Sequence, residues 1–282
     1  MKIFLRIGLG FLLLFVLIWG MWLQWYYQKD QSQRSAYWMV IQSRYPQGSG
    51  AEQFFTQWAI DTDPTNAEAW MQQSIAHNKR GDYATGMAYL ERAVEQRPLE
   101  HLGYRGWVKL FMLRDYDGAL EDLHRLDQMT PGVADAPWGE DIYFLLGLCH
   151  LQKDQLDSAG YWLEYSIEST TAGPGEDWVD VAVFYYAGLV RFLRKEPDLA
   201  RIHFEKAIAY SRRYAEAYYY LALLAWERDE AESACQYLQK GVGFFADGYR
   251  VQNPYFTYPY ALYPTDFARL SELCPDFEAT GK

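Results

Sequence analysis

Residues 181–214, VAVFYYAGLVRFLRKEPDLARIHFEKAIAYSRRY, run directly into residues 215–248, AEAYYYLALLAWERDEAESACQYLQKGVGFFADG. Small Ala187 and Gly188 are followed by Ala200, Phe204 and Ala207. Thirty-four residues further on stand Leu221 and Ala222, then Ala234, Leu238 and Gly241. Period-two alternation of apolar and polar residues is absent from 35–248, and a recurrence of this length has no reason to arise in a doubly wound sheet. The stretch therefore reads as all-α and repetitive.

Working outward, residues 140–173 form another block, with Leu146-Gly147, Ala159, Leu163 and Ser166 at the corresponding places. Residues 67–99 form one more, with Trp70, Ser74, Gly81-Asp82-Tyr83, Gly86, Leu90, Ala93 and Pro98. Between them, residues 100–133 carry Tyr116, Ala119, Leu123, Leu126 and Pro131. There Trp107 falls where a small residue is expected, so this first helix sits further from its neighbour or slips by one. Residues 35–66 read as a degenerate capping repeat, split by Pro46-Gln47-Gly48-Ser49-Gly50, because a terminal repeat has one face without a neighbour. Ala134–Gly139 and Ala172–Trp178 interrupt the array as loops after a second helix.

This period and this order of small and large residues resemble the tetratricopeptide repeat (TPR), whose W-x2-L-G-x2-Y, A-x3-F and P pattern is met in residues 67–99 at the Trp, the Pro and most small sites. Gln73 and His77 stand there in place of Leu and Tyr. The resemblance implies a right-handed α-solenoid of about five to six helix pairs, with the array over 67–248. It also implies that places 2, 5, 9, 12 and 13 of each repeat face a concave groove. Those places fall on Tyr104, Val108 and Phe111 if the second repeat keeps register. They fall on Phe144, Leu148 and Leu151, on Tyr185, Leu189, Phe192 and Leu193, and on Tyr219, Leu223 and Trp226. The groove so built is aromatic and aliphatic. It lacks the Lys, Arg and Asn cluster with which some TPRs clamp a carboxylate, and suits an apolar helix or an extended peptide.

Ahead of the array, Ile7 to Tyr27 is free of charge and about the length a helix needs to cross a bilayer core. Lys2 and Arg6 precede it; Trp19, Trp22, Trp25, Tyr26 and Tyr27 crowd its far end, where rings favour the headgroup region. Bulky residues occupy the places where a signal peptidase needs small ones, and no Cys lies near the end of the run, so residues 1–34 read as an uncleaved anchor with a short linker. The basic N-terminus favours the cytoplasmic side, placing the repeats in the periplasm of a bacterial inner membrane. Lys29 and Arg34 just after the span leave the domain facing the cytoplasm as the alternative.

Residues 249–282 form an extension in which Pro254, Pro259 and Pro264 alternate with Tyr255, Phe256, Tyr258, Tyr260 and Tyr263. Such a segment is stiff, extended and rich in area to bury, and is expected to pack along the array and fill part of the groove, with Thr265 capping a helix to about Leu273; a tail that waits for a partner and one that covers only the last helix pair are the alternatives.

Composition narrows the function further. The 282 residues are half apolar and 18% aromatic, with 24 Tyr and 11 Trp, which suits a packed repeat core. Net charge is −11, and outside residues 1–27 it is 24 minus 37, or −13, a surface that repels phosphate backbones and argues against nucleic acid. Cys149, Cys235 and Cys274 are too scattered for a disulfide framework or zinc site and read as buried free thiols; in an oxidising compartment Cys235 and Cys274 are the pair to test. The five His residues share no metal spacing, and Cys149 and His150 are helix neighbours pointing about 100 degrees apart, unable to act as nucleophile and base. No catalytic residue, cofactor, metal or small-molecule substrate is expected. The expectation is a non-enzymatic scaffold or assembly factor that serves proteins of a membrane complex. The alternative is a permanent subunit of such a complex.

Overall fold

The computed structural model describes residues 2–274, with side chains from residue 10 onward. Lys2 and Arg6, read above as flanking charges, lie outside the described side chains. Among the described residues the chain is all-helical, without strands. It divides into two compact units, Met1–His101 and Leu102–Lys282.

The first unit begins with α1 (Lys2–Tyr27), whose segment Gly10–Tyr27 is long and apolar enough to cross a membrane, with none of its eighteen residues fully buried. Two helix pairs follow, α2 (Gln31–Gln42) with α3 (Gly50–Thr62), and α4 (Ala67–Lys79) with α5 (Tyr83–Gln96). Each start is set by a side chain that takes an otherwise unpaired amide. Asp30 accepts from Gln33 N at 2.8 Å, Ser49 from Glu52 N at 3.2 Å and Asn66 from Ala69 N at 3.1 Å. Asn66 also donates to Ser35 Oγ at 2.8 Å, and Ser35 donates to the Ala59 carbonyl at 2.8 Å, so one buried chain of bonds ties three helices.

The second unit receives α6 (Pro98–Val108), which continues as a five-residue π-turn over Lys109–Leu113 before α7 (Tyr116–Met129). Then come α8 (Ile142–Gln152) with α9 (Leu156–Ala172), α10 (Val181–Leu193) with α11 (Pro197–Tyr210), and α12 (Ala215–Trp226) with α13 (Ala231–Ala246). The two interruptions read from sequence each hold a short 3-10 turn, Pro137–Gly139 and Glu176–Trp178.

Helices of a pair meet where one of them has no side chain. A Cβ on Gly147 would lie 2.7 Å from Leu163 Cγ, and one on Gly188 2.8 Å from the Phe204 ring. Gly106 repeats the arrangement, its Cβ position 3.0 Å from Leu123 Cγ. The place read as filled by Trp107 is thus taken by Gly106, and of the two expectations the helix slips by one. The slip is absorbed by the π-turn. In four pairs the chain turns through one left-handed residue and closes with an N–H to a carbonyl five residues back: Asp82 to His77, Gln155 to His150, Glu196 to Arg191, Glu230 to Ala225. In α6–α7 the same bond runs six back, from Asp115 N to Lys109 O at 2.9 Å. The extra residue also brings Lys109 Nζ to 2.7 Å from Asp122, whose buried carboxylate accepts from Arg105 at 2.8 and 2.6 Å.

Two expectations are corrected. The short C-terminal helix, α14 (Pro264–Ser271), begins at Pro264 with Tyr263 as its cap. Proline suits the first turn, and Asp266 returns a bond to Tyr263 N at 2.7 Å, so Thr265 lies inside the helix. Cys235 and Cys274 form a disulfide instead of standing as free thiols, because α14 folds back on α13 and brings their Cα atoms to 5.8 Å. Cys149 is free and buried.

Candidate functional site

The residues assigned to the groove stand on the first helix of each pair in the second unit. Tyr104, Phe111, Phe144, Leu148, Leu151, Tyr185 and Leu189 are buried; Phe192, Tyr219, Leu223 and Trp226 are half-buried. Much of what covers them is the chain's own C-terminal segment.

That segment leaves α13 through Gly248, whose φ of 88° lets the chain reverse, and returns along the first helices. Tyr249 O accepts from Ala215 N at 3.3 Å, and Val251 N donates to Glu216 Oε1 at 2.7 Å. Phe256 then stacks on Phe111 at 4.4 Å between ring centroids and meets Trp107 edge-on at 5.3 Å; Tyr258 meets Phe111 at 5.4 Å. The Tyr186 hydroxyl donates to the Pro259 carbonyl at 2.7 Å, where the segment, expected to run extended, turns at Pro259–Tyr260 through left-handed Tyr260. Phe267 of α14 closes the path against Tyr219 at 5.2 Å and Phe245 at 4.8 Å, and Leu223 and Trp226 pack on the same cluster.

The site residues therefore separate by role. Phe111 and Tyr219 meet the segment, Leu223 and Trp226 pack on the cluster it shares with α12 and α13, and Tyr185 turns into the array against Phe204, Tyr214 and Tyr220. Phe144 packs on Tyr186, and Phe192 packs on Tyr220. Sequence reasoning passed over Tyr186, Trp107 and Glu216. The signal was present for Glu216, a lone acid in the apolar run Ala215–Trp226, and absent for Tyr186, one place from the residue chosen.

Clefts remain beside the segment. One, of about 250 Å³, lies between Leu110, Phe111, Arg114 and Gln152 on one side and residues 257–263 on the other. A more apolar one, of about 590 Å³, lies between Val242, Phe245 and Ala246 of α13 and Phe267, Ala268 and Ser271 of α14. Burial pushes the Tyr258 hydroxyl up to about 12, helped by the Glu140 and Asp180 carboxyls. Burial also pushes the Glu140, Asp141 and Glu216 carboxyls up.

The arrangement can hold a chain. Burial pushes the Cys149 thiol up to about 12, and His150 hydrogen-bonds Gln155 Oε1 at 2.7 Å. Among the described residues no group of three or more His, Cys, Asp or Glu side chains could hold a metal ion.

A family model for the tetratricopeptide repeat matches residues 50–101. Solved structures match over most of the chain. PilW, described as a widely conserved type IV pilus biogenesis factor, aligns with a TM-score of 0.56 at 16% identity, covering 76% of this chain and 92% of that one. PilF of Pseudomonas aeruginosa aligns at 0.60 and 16%, covering 74% and 91%. MamA aligns at 0.52 and 19%, covering 62% and 95%. Among curated proteins none matches this sequence. At these identities the likeness is one of fold.

Proposed function

We propose that this chain, which carries the tetratricopeptide-repeat fold, is a membrane-tethered scaffold that holds an apolar helix or an extended peptide of a partner protein in the groove of its second unit. One observation supports this above the others: Phe256 and Tyr258 lie on Trp107 and Phe111, and the Pro259 carbonyl accepts from Tyr186, so the surface already receives a peptide by ring stacking and a backbone hydrogen bond. Such contacts reward any segment with rings at alternate places. The groove residues Tyr104, Phe111, Phe144, Leu148, Leu151, Tyr185, Leu189, Phe192, Tyr219, Leu223 and Trp226 build this surface in part by contact and in part from beneath. Pilus biogenesis, for which PilW is described as a factor, is the kind of assembly such a scaffold serves.

The tether is α1. Its apolar span and its ring-rich end support a bacterial inner-membrane anchor, and the disulfide supports an oxidising compartment, hence repeats in the periplasm. Tethering raises the effective concentration toward membrane partners, so weak groove contacts suffice.

Photo-crosslinking in native membranes tests the reading. A crosslinking residue at Gln152 or Tyr260, both beside the 250 Å³ cleft, should give one dominant protein adduct that excess peptide of sequence 253–264 abolishes; the same residue at Leu199, exposed on α11, should give none. Adducts equal at all three positions, or unaffected by the peptide, refute it.

A further inference from the structure

The first unit holds a second built site, where α1 meets the first helix pair. Trp19, Trp22 and Tyr26 from the last turns of α1, with Trp38 and Trp58, wall a niche of about 460 Å³. Its wall is fixed by bonds as well as packing. Trp38 Nε1 donates to Tyr26 Oη at 2.9 Å, Trp22 Nε1 to Tyr37 Oη at 3.3 Å, and Trp38 stacks on Trp58 at 4.2 Å.

Two opposite charges line this niche. Arg34 lies with its guanidinium 5.7 Å from the Tyr26 ring centre, and its Nε is buried without a hydrogen-bond partner. Asp61, exposed at the end of α3, accepts from Gln57 Nε2 at 2.8 Å through one oxygen. Between Trp19 and Tyr27 the helix rises roughly 12 Å, and the headgroup layer on each side of a bilayer is about half that or more, so the niche opens at headgroup depth if α1 spans.

We propose that this niche binds the headgroup of an aminophospholipid, with the phosphate on the Arg34 guanidinium and the primary ammonium on the Asp61 carboxylate. The inference rests on the reading of α1 as a membrane span. A guanidinium is planar and matches phosphate oxygens, and the buried Nε is a donor that such an oxygen would satisfy. An anionic headgroup without an amine would meet Asp61 as a like charge. A quaternary ammonium has no N–H for that carboxylate. A free phosphate would leave the indole walls unfilled, whereas the glycerol and upper acyl chain of a lipid cover them.

The test is native mass spectrometry of the full chain in mild detergent, titrated with phosphatidylethanolamine, phosphatidylglycerol, phosphatidylcholine and, separately, inorganic phosphate. Phosphatidylethanolamine should bind at least tenfold tighter than phosphatidylcholine, and Arg34→Gln and Asp61→Asn should each weaken it about tenfold, the loss of one charge-assisted hydrogen bond. Asp61 is exposed, so Asp61→Asn keeps the test open if Arg34→Gln fails to fold. Tighter binding of phosphatidylglycerol, strengthened by Asp61→Asn, overturns the proposal. So does inorganic phosphate binding as tightly as the lipid, or no discrimination between headgroups. Alkaline carbonate extraction reports on the span alone: a protein released from membranes refutes the tether, whereas a retained protein without headgroup preference refutes only the niche.

Discussion

Gly188 and Gly243 are both helical glycines, yet the structure gives them opposite worth. A Cβ at Gly188 would lie 2.8 Å from two atoms of the buried Phe204 ring, so Gly188→Ala should destabilise the second unit by about 1–3 kcal/mol, the cost of overpacking a filled core. A Cβ at Gly243 meets nothing within 4 Å, so Gly243→Ala should stabilise by about 0.5–1 kcal/mol through lost unfolded-chain freedom. Urea midpoints at constant slope would read both. Glu216 makes a third case. Its carboxyl is pushed up by burial, only partly offset by bonds from its own N–H and Val251 N and by Arg250, so the folded state holds the proton more tightly than the unfolded one. The stability this contributes is fully present below the unfolded carboxylate value and is lost as pH rises through the raised folded value. Glu216→Gln keeps an acceptor for Val251 N, and the unpartnered hydroxyls of Tyr185 and Tyr214, which feel the Glu216 charge, can receive its amide. The variant should match the wild type near pH 4 and exceed it at pH 8; a parallel pH dependence in the two proteins would show that Glu216 does not titrate in this range.

At the scale of elements, the disulfide and the tail decide what is stable. Cys235–Cys274 closes a separation of 39 residues and fastens α14, an eight-residue helix with little of its own to hold it, to α13. Cys274→Ser should speed amide exchange in Pro264–Ser271 by about two to three orders of magnitude, following the roughly 2–4 kcal/mol such a link is worth, and leave α10 and α11 unchanged. Equal protection with and without the bond would place the hold in Phe267 and Leu270 instead. The helix pairs themselves were legible in the chain, because small and large residues recur: Gly147 to Leu163, Gly188 to Phe204 and Ala222 to Leu238 each span 16 residues. Gly106 to Leu123 spans 17, and that single extra residue is the π-turn; with Trp107 sixteen before Leu123, the sequence left open whether the helix stands off or slips by one. The course of the tail was legible only as a tendency. Its aromatic and proline content says that it must be covered, whereas the pairing of Phe256 with Phe111, 145 residues apart, depends on how the intervening helices α7 to α13 stack. The disulfide was legible only as the pair to test in an oxidising compartment, since two cysteines 39 residues apart meet only once α14 folds back.

For the whole molecule, the span, the charge and the disulfide bear on one question, the side of the membrane on which the repeats stand. Beyond residue 27 the chain carries a net charge of 24 minus 37, or −13, which gives it no overall attraction to an anionic membrane face, and the positive-inside rule is blunted here by Lys29 and Arg34 beyond the span. If Arg34 serves a headgroup from the far side, that charge no longer counts against export. The disulfide then becomes the sharper indicator, since a bond of this kind persists where thiols are not kept reduced. Cells quenched in acid and unfolded in the presence of a mass-tagged maleimide should give one label per chain, on Cys149, which is buried and reached only after unfolding. Reduction before labelling should give three. Three labels without reduction would put the domain in the cytoplasm and, with it, leave α14 held by packing alone in the cell. One label from cells together with three from a variant lacking residues 1–27, which then stays in the cytoplasm, would tie the bond to export and α1 to the export itself.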